Sequence, residues 1–183
     1  DSIFDEKSLF LTTIASLKGK KSQSILDYFE KIVVVSGLKD KRLHNHAAKL
    51  LENEVDRTQI LSMLKLADTG IENIKIIEFT EKNFMQDAPK DLINGLKGKK
   101  MVISEHKRFN NEFKETENVS FGFMSNESEG TQKIFELSPV LMSALNNGHP
   151  IIIDEFDARF HPLITKKIVE LFNSNSNLSA QLI

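Results

Sequence analysis

Two adjacent carboxylates, Asp154 and Glu155, follow directly on the apolar run Ile151–Ile153, inside the stretch PIIIDEFDARFHP that spans Pro150 to Pro162. A short apolar run without polar alternation predicts a strand covered on both faces. Open parallel sheets place their ligands beyond the C-terminal ends of such strands. At that edge one carboxylate can hold Mg²⁺, directly or through water, while a second orients or deprotonates an attacking water in phosphoryl transfer. Neighbouring strand residues point to opposite faces, so the two must divide these roles. They also fit a plain polar end of a strand. A second constellation is Asn126-Glu127-Ser128-Glu129-Gly130-Thr131-Gln132. Ser128 is a predicted helix cap, Gly130 lets a ligand approach the backbone, and the free N–H groups of a helix start suit an anion. Glu127 and Glu129 oppose an anion there, and an ordinary capping segment fits the same residues.

The elements that must position these groups follow from periodicity. Leu9, Phe10, Thr13, Ile14 and Leu17 predict a first helix over Glu6–Leu17, stopped at Gly19. Ser22 or Ser24 is expected to cap a second helix, with Ile25, Leu26, Phe29 and Ile32 on one face, before Val33–Val35 turns extended. Further helices are predicted over Leu43–Leu51 and Arg57–Leu66, so residues 1–70 form a mainly helical region. Strands are predicted over Ile74–Phe79, Met101–His106 and Val119–Met124, the last two paired as a hairpin, and the polar stretch Asn83–Lys100 is read as a loop with a short helix near Leu92. The spacing of Ile134, Leu137, Val140, Leu141, Ala144 and Leu145 predicts a helix over Glu129–Asn146, terminated at Gly148, with a kink or joint at Pro139. A helix over Leu163–Phe172 opens at Pro162, and Ser179–Ile183 reads as the next strand. Strand, helix, strand is a βαβ unit and favours a parallel sheet, which makes residues 71–183 an α/β lobe.

Composition limits the function classes. The 183 residues are 40% hydrophobic and hold 24 basic against 26 acidic residues, so a soluble core is feasible and no global nucleic-acid charge signature exists. There is no cysteine, hence no disulfide or thiolate metal site, in keeping with a cytoplasmic setting. Apolar runs are far too short for a membrane span. The chain begins at Asp1 and stops within an apparent strand, and is read as part of a longer protein. His44 and His46 are too closely spaced to ligate one metal from a helix and are read as a solvated face. Lys18–Lys21, Lys39, Lys41, Arg42 and Lys97–Lys100 could meet nucleic-acid phosphates or be merely solvated. Phe121 and Phe123 read as core residues on one strand face.

The order Ser-Glu-Gly-Thr-Gln, helix, apolar strand closing on Asp-Glu, then a helix opening at His161-Pro162, resembles the second half of an ABC-type ATPase head. The wording ESEGTQ and DEFDARFHP is similar to bacterial ATPases related to the overcoming-lysogenisation-defect and abortive-infection proteins. The resemblance implies a partial P-loop NTPase fold whose heads form a homodimer around ATP and Mg²⁺. It implies Asp154 as the Walker B metal residue and Glu155 as the catalytic glutamate. Ser128, Gly130 and Thr131 would be signature residues reaching the other subunit's nucleotide, while Asp157 to His161 would form the D-loop. Relatives often serve phage defence with a nuclease or other effector. Glu129 departs from the signature pattern, and His161 stands near a position where relatives carry aspartate. No GxxxxGK[ST] phosphate loop occurs, since Gly19-Lys20-Lys21 and Gly98-Lys99-Lys100 lack the first glycine and the hydroxyl residue. That loop and the histidine switch are expected outside Asp1–Ile183, so these residues alone are predicted not to hydrolyse ATP. The alternative is a helical interaction module, residues 1–70, on a degenerate head that binds without hydrolysis.

Overall fold

In the computed structural model, residues 9–36, 41–80, 89–91, 95, 97–156 and 160–183 are described. They form a mixed α/β structure with two separate sheets. The first is wholly parallel. Its central strand β5 (Pro150–Asp154) lies between β1 (Val33–Ser36) and β6 (Gln181–Leu182). Val33 faces Ile151 and Ser36 faces Asp154, while Ile151 faces Leu182 on the other side. Ile151 is fully buried and Ile153 nearly so, as the unbroken apolar run requires.

The second sheet is an antiparallel meander of β2 (Ile71–Glu78), β3 (Lys100–His106) and β4 (Val119–Gly122). The expected hairpin of the last two strands is present. β2 starts three residues before the predicted Ile74 because Ile71 and Ile74 are both buried, with a register irregularity between Ile71 and Asn73. β4 is shorter than predicted. At Phe123 the backbone turns into the single-turn helix α5 (Phe123–Asn126), which buries that ring against Phe135 at 4.8 Å between centroids. Burying a phenylalanine is worth about 2–3 kcal/mol, enough to override strand alternation.

Helix α1 (Phe10–Ser16) is followed by α2 (Lys20–Glu30), which starts before the predicted serine caps. Gly19 is the N-cap, and it packs so closely on α1 that a β-carbon there would lie 2.6 Å from Ile14 Cγ2. Ser24 instead donates its hydroxyl to the Lys20 carbonyl. α3 (Lys41–Leu50) and α4 (Glu54–Leu66) follow, the latter capped by Asn53, whose Oδ1 accepts from Val55 and Asp56 N–H groups.

α6 (Glu129–Asn147) packs along α3 and α4, and α4 in turn covers β2. It runs as one element through Pro139 rather than dividing into two, with Ser138 Oγ bonded to the Ile134 carbonyl just before the proline. It stops at Gly148, whose φ of 67° is left-handed and whose missing β-carbon would lie 2.1 Å from Ser179 Oγ. α7 (Pro162–Phe172) connects β5 to β6 and completes the predicted βαβ unit. The core joins both sheets to α3, α4, α6 and α7 through Ile74, Leu64, Phe135, Leu141, Ile151 and Ile168. No helix among the described residues is long and apolar enough to cross a membrane. The stretch Asn83–Lys100 lies largely outside the described residues, and so does the start of the first predicted helix.

Candidate functional site

The start of α6 is held from two sides. Ser128 has extended dihedrals, φ −63° and ψ 155°, and its Oγ accepts the Thr131 N–H at 3.1 Å, as a helix cap should. Thr131 Oγ1 lies 2.9 Å from the same oxygen. Gln132 Nε2 donates to the carbonyls of Glu127 and Met124 at 2.9 and 3.2 Å, closing the chain before the cap into a compact turn. Gly130 sits in the first helical turn between these residues. Glu127 is not a free charge opposing an anion. Its carboxylate, 8% exposed, accepts from Ser104 Oγ and is 2.7 Å from His106 Nε2, both on β3. That anchor was missed in the sequence because it joins residues more than twenty positions apart.

Asp154 ends β5 and is exposed, as the strand-end reading requires. Glu155 is also exposed but has already left the strand: its φ is 53°. The expected alternation of adjacent strand side chains therefore does not describe this pair, because the backbone turns left-handed at the second residue. Phe156 and Phe160 then meet edge to face at 5.5 Å. Asp157 lies outside the described residues.

His161 is the N-cap of α7. Its Nδ1 accepts the Leu163 N–H at 3.3 Å, and Pro162 occupies the first helical position, where no N–H is needed. The fold brings Ser128, Thr131 and His161 into the lining of one groove of about 610 Å³, with Glu127, Lys166 and Lys167 also on its walls. Asp154 and Glu155 lie outside that lining.

Other sequence candidates are used structurally. His44 is not on a solvated face: its ring packs edge to face on Phe135 at 5.5 Å and stands 4.0 Å from Glu136, because α6 covers that side of α3. His46 is exposed, as expected. Phe121 is exposed and is not the expected core residue, because among the described residues its strand face is covered only by His106, whose ring lies edge to face at 5.6 Å, whereas Phe123 is fully buried. Lys100 is engaged by Glu52, a contact that holds the lysine above and the glutamate below their ordinary pKa values.

Among the described residues no group of three or more His, Cys, Asp or Glu side chains is placed to hold a metal by itself. Two exposed carboxylates at a strand end do fit Mg²⁺ shared with phosphate oxygens, since that ion keeps several waters and takes one or two protein carboxylates in nucleotide sites. The nucleotide fits only in part, because nothing in the sequence supplies a phosphate-cradling loop.

A parallel sheet whose central strand ends in carboxylates, with a serine-capped helix leading into that strand, is consistent with a partial lobe of the P-loop NTPase-like type. The chain belongs to the family described as "AAA domain, putative AbiEii toxin, Type IV TA system", whose model matches residues 19–183. This is an ATPase-like, nucleotide-binding class of domain. No curated protein and no solved structure matches the chain.

Proposed function

We propose that the chain is the signature and Walker B part of an ABC-type ATPase head related to the overcoming-lysogenisation-defect and abortive-infection ATPases. One observation carries the reading. The capped turn at Ser128, the buried strand ending at Asp154 and the helix capped by His161 follow one another in a single lobe, and the two caps share a groove.

On this reading Asp154 holds Mg²⁺ with its carboxylate, and the ion when bound neutralises charge on the phosphates. Glu155 accepts a proton from the attacking water. Ser128, Gly130 and Thr131 form the signature turn that contacts the γ-phosphate held by a second head, so the active unit is a homodimer. Asp157 to His161 form the D-loop segment. Residues 1–70 are mainly helical but are not a separate module, since β1 pairs with β5 in the sheet of the lobe, and the output is phage defence through a nuclease or other effector.

The missing phosphate loop favours a second reading, in which a degenerate head and its helical region bind a partner without hydrolysis. Glu155→Gln in the full-length protein separates the two. The ATPase reading expects retained ATP binding and turnover reduced by about a thousandfold or more, the scale of losing a catalytic base. Unchanged turnover removes Glu155 from its role, and a wild-type protein without turnover leaves the binding module.

A further inference from the structure

Lys133 stands one residue beyond the Ser128–Gln132 turn, and its side chain is only 2% exposed. Burying an ammonium is costly unless it is paired. Its Nζ donates to the Ser36 carbonyl at 3.1 Å, and Glu136, one helical turn further, lies 3.8 Å away with 2% exposure of its own. His44 Nδ1 on α3 is 4.0 Å from the same carboxylate.

Ser36 is the last residue of β1 and the register partner of Asp154. One lysine therefore ties the helix that opens at Ser128 to the main chain beside the metal carboxylate. A well-packed apolar side chain would give this position equal or greater stability. A charge directed at a backbone carbonyl instead fixes distance and direction, so α6 and the end of β1 shift together.

We propose that Lys133 is a positioning residue that couples the signature turn, which serves the second head's nucleotide, to the Asp154 end of the sheet, which serves its own. The proposal rests on the ATPase reading above. A misplacement of about 1 Å between reacting groups can cost about a hundredfold in rate. Loss of the link should therefore lower kcat while leaving nucleotide affinity nearly unchanged.

The test uses the full-length protein with Lys133→Met combined with Glu136→Leu, which removes both buried charges together. Thermal melting, equilibrium binding of a fluorescent ATP analogue, steady-state ATP hydrolysis and amide hydrogen exchange at Val35–Ser36 are measured. The expected result is a cooperative melt, affinity within about threefold, kcat lowered about ten- to a hundredfold, and faster exchange at the end of β1. A folded double variant with wild-type kcat, or with unchanged exchange at Ser36, overturns the role of Lys133 alone. A wild-type protein without ATP turnover overturns the ATPase reading and this role together. Should the double variant not fold, Lys133→Arg keeps the charge but moves the donor. Wild-type kcat in that variant refutes the coupling, and a kcat loss at unchanged affinity supports it.

Discussion

Replacing Glu155 by glycine separates backbone strain from chemistry. Glu155 has φ of 53°, where a β-carbon crowds the following carbonyl oxygen at a cost of about 1–2 kcal/mol. Glycine removes that crowding, and its greater freedom in the unfolded chain returns about 0.5–1 kcal/mol. The side chain is exposed, so truncation sacrifices little packing. The net expectation is a gain of about 0.5–1 kcal/mol, or about 1–4 °C in Tm for a chain of this size. Urea unfolding of wild type, Glu155→Gly and Glu155→Gln, followed by circular dichroism with a common m-value, reads this directly. The glutamine variant keeps the β-carbon and should stay within about 0.5 kcal/mol of wild type. A glycine variant less stable than wild type, or a glutamine variant that gains as much, would refute the strain argument. Higher stability with lost turnover is the pattern of strain retained for function.

Gly148→Ala forces an alanine into a left-handed helix end and drives its β-carbon into Ser179, so a loss of about 1–2 kcal/mol is expected. A variant as stable as wild type by urea unfolding would contradict it. The Lys75 and Asn73 side chains hydrogen-bond Glu105 across β2 and β3 and hold its pKa below the ordinary 4.5. Because the folded pKa is depressed, the pair's contribution is fully present above about pH 4.5 and is lost as pH falls through the lower folded value. Lys75→Met should cost about 1 kcal/mol or less at pH 7, and the difference should shrink as pH falls below the ordinary carboxylate range. A difference that stays constant over that range would exclude Glu105 as its source.

Local signals carried most of what the sequence disclosed. The run Ile151–Ile153 specifies a buried strand by itself, Pro162 marks the start of α7, and Gly148 ends α6 because only a residue at ease with positive φ suits that stop. The parallel sheet followed from the βαβ spacing. What remained hidden depends on contacts between distant residues. Neither Glu127 meeting Ser104 and His106, nor the pairing of β1 with β5, has a local pattern. Lys133 and Glu136 did leave a trace, as opposite charges three residues apart within an apolar helix. Their burial nonetheless depends on what α3 and β1 place against them. Phe123 followed strand alternation in the sequence and was claimed instead by Phe135.

The pairing of Val33 with Ile151 also sets an order of events during synthesis. Two strands of one parallel ladder are separated by more than a hundred residues, among them the whole antiparallel meander and the helices that cover it. Closing so long a loop adds only a modest equilibrium cost, about 0.6 kcal/mol per doubling of length. Its weight falls on the rate, because distant pairings form slowly. As the chain leaves the ribosome, β2–β4 and α4 can pack by near-neighbour contacts while β1 waits with its edge open. Only when Ile151 emerges can the strand bearing Asp154 dock. The carboxylates at the strand end are therefore among the last features to form, after the excursion that separates β1 from β5 has folded.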